Sequence, residues 1–238
     1  MAKGFSFKQF HVNDHGCGMP VSTDGVLLGA WADLSRKGLI VDIGTGSGLL
    51  ALMAAQRTHT QGNLITAVEI DPAAAEAALQ NFQHSPWPDA LSLTQQDIRQ
   101  WAKTQEQGTV TSVICNPPYF NSGEQANCQA RATARHTDSL PHIELLEALR
   151  FLLADDGIAS LILPTYEGEQ LLQQAEQTGL YCQRRCDVRT SASKPVSRLL
   201  IALTPVQTAT RHEQLVIHEH GHYSAAFTAL TRDFYLKM

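Results

Sequence analysis

Asn116-Pro117-Pro118-Tyr119 gathers hydrogen-bond acceptors beside an aromatic ring. The two prolines fix φ and remove two backbone donors, so this segment neither continues a strand ladder nor starts a helix. It displays the Asn116 amide, free carbonyls and the Tyr119 ring. The Asn116 side-chain oxygen and the Pro117 carbonyl can accept both N–H groups of a planar aromatic amine. Such an amine is a poor nucleophile because its lone pair is delocalised, so help comes mostly from positioning. Tyr119 can stack on the ring face, as extruded bases are held between aromatic and apolar groups. No strong base is needed, since the amine can lose its proton after attack. An ordinary strand-ending turn is the plain alternative.

Asp42-Ile43-Gly44-Thr45-Gly46-Ser47-Gly48 is a second cluster. Glycines at 44, 46 and 48 let the backbone turn tightly and approach a ligand with no side chain between. The N–H groups of a following helix start can then receive polar or anionic ligand groups. A dinucleotide fingerprint would place its third glycine one residue later, where Leu49 stands, and this weakens a nicotinamide reading. Glu69, 25 residues after Gly44 in Val68-Glu69-Ile70-Asp71, can accept hydrogen bonds from two ribose hydroxyls. Asp71 precedes Pro72 and reads better as a helix N-cap. Asp97 is placed either to bind an adenine amino group or to cap a short helix over DIRQWA.

VDIGTGSGLLAL (41–52), AVEID (67–71) and QQDI (96–99) together resemble the class I, Rossmann-like S-adenosylmethionine methyltransferases. That resemblance implies a glycine loop against the cofactor, with Asp42, Gly44, Gly46, Gly48 and Asn116 around it. It also implies Glu69 on the ribose and Asp97 on the adenine. Asn-Pro-Pro-Tyr resembles the motif of methyltransferases that act on amino or amide nitrogens. It implies Asn116, Pro117 and Tyr119 as the catalytic set, with in-line displacement at the methyl carbon.

These residues need a sheet to hold them. GLIVDIG (38–44), NLITAVEI (63–70), ALSLTQQD (90–97), VTSVICN (110–116) and IASLILP (158–164) read as strands. SGLLALMAAQR (47–57), PAAAEAALQNF from Pro72, LPHIELLEALRFLL (140–153) and EGEQLLQQAEQTG (167–179) read as helices. Pro suits a first helical position and Gly179 a C′ position. LYCQRRCDVRT and SRLLIALTPV close the sheet as two strands, and SAAFTALTRDFYL (224–236) is a terminal helix. Alternating β and α elements predict an α/β fold with a mainly parallel, seven-stranded sheet covered on both faces and one antiparallel strand near the C-terminus. Residues 38–238 then form the methyltransferase domain, and 1–37 an N-terminal extension contributing to the cofactor and RNA site. Two stretches, 1–37 and 120–139, read as loops.

Composition bounds the rest. Of 238 residues, 43% are apolar and 17% charged, enough to fill a core. MAKGFSFKQF lacks the apolar run of a signal peptide, and no 18-residue apolar stretch is present. A cytoplasmic protein with no membrane contact is expected. The five cysteines are scattered without zinc spacing, so free thiols and no metal are expected. A formal charge of -5 argues against generic nucleic-acid coating, so an RNA substrate would need local basic surface. Arg184, Arg185, Arg189, Lys194 and Arg198 face only Asp187 in their stretch, and Arg131 and Arg135 flank a polar loop. Both stretches also read as ordinary solvated charge.

Phe5 to Phe10, Val21 to Trp31 and YSAAFTALTRDFYLKM, added to the motifs above, make nearly the whole chain similar to a bacterial family. It is the tRNA (adenine-N6)-methyltransferases that modify adenosine 37, beside the anticodon of valine tRNA. The resemblance implies S-adenosylmethionine as donor and an anticodon stem-loop as partner; no stable protein partner is expected. It places Thr23-Asp24-Gly25 beside the cofactor; the residues themselves allow Asp24 to meet the ammonium, or a simple turn. Lys8, Arg131, Arg135, Arg184, Arg185 and Arg189 become the candidate RNA contacts. Phe5, Phe7 and Phe10 can stack on loop bases, although packing is the commoner fate of Phe. The rivals are a ribosomal-RNA guanine-N2 or protein-glutamine methyltransferase, a nicotinamide oxidoreductase and a non-catalytic RNA module.

Overall fold

Short apolar runs that end in glycine, acid or proline become the parallel strands, and the helical runs between them cover the sheet. The computed structural model describes residues 4–13, 20–117 and 140–238. The strands are β1 Gly4–Ser6, β2 His11–Asn13, β3 Leu39–Ile43, β4 Leu64–Glu69, β5 Leu91–Gln95 and β6 Val110–Cys115, followed by β7 Leu153–Pro164, β8 Tyr181–Ser191, β9 Val196–Thr204, β10 Arg211–Glu219 and β11 His222–Tyr223. The α-helices are α1 Thr23–Trp31, α2 Leu49–Thr58, α3 Pro72–Gln83, α4 Ile98–Ala102, α5 His142–Leu152, α6 Thr165–Ala175 and α7 Ala225–Thr231.

Nine strands form one sheet in the order β11-β10-β8-β9-β7-β6-β3-β4-β5. Pairing is parallel except where β9 meets β7 and β8 and where β11 meets β10. Alternate residues divide the core in two, as the two-residue period of a strand requires. Ile40, Ile65, Ile114 and Leu200 pack with α1, α2, α3 and α7. Val41, Val68, Val113 and Leu199 pack with α4, α5 and α6 on the other face. The expected mainly parallel sheet with helices on both faces is present. It carries two more strands than the expected seven, because 211–223 pairs onto β8.

The stretch 20–37, read from sequence as loop, contains α1. Gly25 to Gly29 and Trp31 are buried, so the helix is apolar nearly all round and has no amphipathic period to detect. Its readable signal was Ser22, whose Oγ accepts from the Gly25 N–H at 3.2 Å. The hairpin β1–β2 docks on the C-terminal segment: Phe7 bridges Tyr235, and the Lys8 N–H donates to the Phe234 carbonyl at 2.8 Å. Phe7 and Phe10 are buried and stacked at 4.7 Å, so packing is their role.

Trp31 fixes the far edge of the sheet. Its indole N–H donates to Glu213 on β10 at 3.0 Å, and the Arg184 guanidinium lies 3.9 Å over its ring. Arg184 also donates to Glu213 at 2.9 Å. Arg184→Ala removes the cation–π contact and a charge-assisted bond, an expected loss of about 1–3 kcal/mol. A lower midpoint in urea unfolding, at unchanged slope, is the measurement that checks it.

Candidate functional site

The parallel strands share one carboxyl-terminal edge, and chain order reverses there between β3 and β6. Ligands of open α/β sheets bind in that crevice. Ile43 is the register partner of Cys115, so Gly44 and Asn116 leave neighbouring strands side by side. Of the residues predicted to do chemistry, the glycine loop and Asn116 meet at this point.

The loop after β3 uses its glycines in two ways. Gly44 and Gly46 have φ of 66° and 55°, and a Cβ added at either would meet nothing within 4 Å. They present bare backbone to open space. Gly48 has φ of 85°, and a Cβ there would lie 2.5 Å from Phe82 Cε1, so its glycine also serves packing on α3. Leu49 then begins α2.

Two carboxylates hold the loop. Glu69 is 8% exposed at the end of β4. Its Oε2 accepts from the Gly46 N–H at 2.8 Å, and its Oε1 from the N–H groups of Ile70 at 2.8 Å and Asp71 at 2.9 Å. A carboxylate has about four acceptor sites, so one remains. Asp42 is fully buried beneath the loop, where its Oδ2 accepts from Thr45 Oγ1 at 2.5 Å and the Ala51 N–H at 3.0 Å. Its Oδ1 has no partner. Burial pushes the Asp42 pKa up to about 7; the two hydrogen bonds oppose this, and the Glu69 charge adds to it.

Asp71 caps α3 through the Ala74 N–H at 2.8 Å, as its place before Pro72 suggests. Asp97 caps α4 through the Arg99 N–H at 2.7 Å, and both its oxygens also receive the Arg99 guanidinium. Arg99 is the main reason its carboxyl stays below the usual range. The guanidinium goes on to Glu144 at 2.8 Å. Any adenine contact at Asp97 therefore shares that carboxylate with Arg99.

Asn116 is half-buried and Pro117 buried, and the Asn116 Oδ1 has no hydrogen-bond partner. An unpaired buried acceptor costs about 1–3 kcal/mol. Tyr119, Arg131 and Arg135 lie outside the described residues. Asp24 lies at the start of α1, where Arg198 donates to it at 2.7 Å, while Thr23 is exposed. Arg198 pairs in register with Pro164, at the carboxyl end of β7, so Asp24 stands on the edge that carries the glycine loop. A Cβ on Gly25 would be 2.9 Å from Leu49, which puts α1 directly against the start of α2.

Sequence reasoning missed Asn81. From inside α3 its amide nitrogen donates to the carbonyls of Ser47 at 2.8 Å and Asn13 at 2.9 Å, and its oxygen accepts from the Asn13 N–H at 2.9 Å. This buried amide ties β2 to the glycine loop. A polar, poorly helix-forming residue in the alanine-rich run was the available signal.

The basic candidates divide. Arg184 is committed to Glu213 and Trp31. Arg185 pairs with Glu169 at 2.7 Å and Asp187 at 2.8 Å. The Lys8 ammonium donates to the carbonyls of Arg232 and Met238. Arg189, by contrast, meets only the Gln214 amide at 3.4 Å among the described residues, and Lys194 is exposed in the β8–β9 turn.

The Methyltransferase small domain family matches residues 24–137, which span Asp24, the glycine loop, Glu69, Asp97 and Asn116. A protein of Photobacterium profundum, named tRNA1(Val) (adenine(37)-N6)-methyltransferase, is 61% identical over the whole of both chains. A Shewanella amazonensis protein of the same name is 50% identical over 99% of this chain and all of its own. The chain belongs to this tRNA1(Val) (adenine(37)-N6)-methyltransferase family. Among solved structures, a predicted O-methyltransferase of Agrobacterium tumefaciens superposes with a TM-score of 0.70 at 16% identity, covering 89% of this chain and 96% of its own. That likeness concerns the fold.

The raised Asp42 pKa has a consequence for stability in this methyltransferase. Its folded-state pKa lies above the unfolded value, so the folded chain holds the extra proton between about pH 4 and 7. Stability from this group is present at the acidic end and is lost as pH rises through 7. Asp42→Asn removes the titration. Relative to wild type, the variant is expected to gain stability, on the order of a few kcal/mol, between pH 4 and 8. Urea midpoints across that range measure the difference; parallel curves would refute it.

Proposed function

We propose that this chain transfers a methyl group to the N6 amino nitrogen of adenosine 37 in valine tRNA, with S-adenosylmethionine as donor. One observation carries the reading: a buried, unpartnered Asn116 Oδ1 beside the bare backbone of Gly44, on adjacent strands at the sheet's reversal point. When bound, S-adenosylmethionine supplies an electrophilic methyl on a sulfonium. The residues present fit that group. Gly44 and Gly46 leave room along the loop, Glu69 keeps one acceptor site toward a ribose, and Asp97 is held in one orientation by Arg99. Thr23, Asp24, Asp42 and Gly48 complete the proposed cofactor neighbourhood.

Asn116 and Pro117 act on the acceptor. The Asn116 oxygen takes one N–H of the adenine amine and Pro117 supplies a carbonyl for the other, which orients the nitrogen lone pair. The surplus proton leaves after transfer, so no residue need act as a strong base. Tyr119 is the assigned stacking partner for the base. Among the candidate RNA contacts we assign Arg189, Arg131 and Arg135 to the backbone, and we add the exposed Lys194 of the same basic stretch. Lys8, Arg184 and Arg185 are occupied with holding the fold. The enzyme is proposed to act in the cytoplasm without a stable protein partner.

Mass spectrometry of tRNA nucleosides from a deletion strain tests the substrate. N6-methyladenosine is expected to fall in tRNA, and an unchanged tRNA profile would favour a ribosomal or protein-glutamine substrate instead. Asn116→Ala is expected to lower turnover at least a hundredfold, the scale of a lost transition-state hydrogen bond. Affinity for S-adenosylhomocysteine, measured by calorimetry, stays within a few-fold. Arg189→Ala is expected to flatten the slope of log tRNA affinity against log salt by roughly one. Arg184→Ala leaves that slope in place.

A further inference from the structure

We infer that the β10–β11 hairpin is a stacking platform for unpaired bases of the RNA substrate. This rests on the tRNA reading above and adds a surface to it. The platform is a column of three rings rooted in the core. Phe227 on α7 is fully buried, Tyr223 stacks on it at 4.7 Å and 24°, and His218 stacks on Tyr223 at 5.0 Å and 26°. Tyr223 is 50% exposed and His218 is exposed, so the column rises from the interior and ends in solvent.

The column is ordered before any ligand arrives. His218 and Tyr223 are register partners across the hairpin, which turns at His220 and Gly221, both with positive φ. His218 Nδ1 donates to the Thr190 carbonyl of β8 at 3.3 Å, and this bond fixes the ring against the neighbouring strand. A rigid exposed ring accepts a base with little loss of conformational freedom. Stacking on aromatic side chains is the usual way proteins hold unpaired bases.

Position and charge name the occupant. β10 runs parallel to β8, so its end lies on the edge of the sheet that carries Asn116. Four strand spacings separate β6 from β10, about 20 Å along that edge. Arg189 and Lys194 stand on β8 and its following turn, between the platform and the catalytic turn, and are placed for phosphates. Glu219 and His222 are backbone register partners, one step away from the ring pair. A loop whose adenosine enters at Asn116 can therefore lay another of its unpaired bases, further along the strand, on His218.

Fluorescence anisotropy and methylation assays on an unmodified valine tRNA transcript, with the full chain, test this. His218→Ala and Tyr223→Leu are each expected to raise the tRNA Kd and KM about tenfold, the scale of one lost stack. The salt slope of binding, kcat at saturating tRNA and S-adenosylhomocysteine affinity stay at wild-type values. Leucine preserves the apolar contact with Phe227, and Tyr223→Phe, which keeps the ring, binds within twofold of wild type. Wild-type affinity in both His218→Ala and Tyr223→Leu overturns the platform and leaves the methylation reading standing. A salt slope that falls by about one in His218→Ala marks a phosphate contact and also overturns it. A wild-type chain that methylates no tRNA overturns both.

Discussion

The Glu69 carboxylate governs this fold's working edge, because it receives three backbone N–H groups from two different segments. Gly46 belongs to the loop after β3; Ile70 and Asp71 belong to the turn after β4. Backbone amides cannot rotate away as side chains can, so the bond fixes the glycine loop relative to the next strand. Asp42 does the same work from below, holding Thr45 and the first turn of α2. Two acids of like charge so close together would repel if both were ionised and dry. Glu69 is met by donors at both oxygens, whereas Asp42 keeps one oxygen orphaned, and its proton affinity rises instead. The loop is thus held by one carboxylate met by backbone donors at both oxygens and by one buried carboxyl group that takes up a proton readily.

From that anchoring the division of labour follows. Gly44 and Asn116 continue two hydrogen-bonded strands, so sheet register sets the glycine loop and the Asn116 amide side by side. No hinge is required to assemble the pair. Asn81 and the α1 start extend the same scaffold to the N-terminal segment, through Ser47 in one case and Leu49 in the other. Residues before 38 are therefore tied to the site by both ends of a short stretch of chain.

The strands and helices that alternate in a clear period were legible in the sequence, and so was the edge on which they end. Glycine spacing marked the turn after β3, because the positive φ at 44, 46 and 48 favours that residue type. Three things were not legible. A helix buried on every side carries no stripe, which hid α1. The half-exposed strand β10 mixes histidine and glutamate with its apolar residues, so only the His220-Gly221 turn signalled it. Arginine in a basic run looks the same whether it faces solvent or an acid distant in sequence; Arg184 meets Glu213 and Arg198 meets Asp24 only once the sheet is closed.

That last point constrains how RNA is held. The chain carries a net charge of -5, and Arg99, Arg184, Arg185 and Arg198 are all drawn into internal ion pairs. Few cations on the described edge remain for phosphates, and each such contact is what makes binding salt-dependent and sequence-blind. Weak electrostatic grip has a useful corollary. A protein that cannot coat any RNA must draw its affinity from groups that only some RNAs offer, namely unpaired bases that can be splayed and stacked. In the proposed function, Asn116 meets one such base through its amine. Discrimination between RNAs then depends on how the rest of the loop meets this edge, and not on the charge of its backbone.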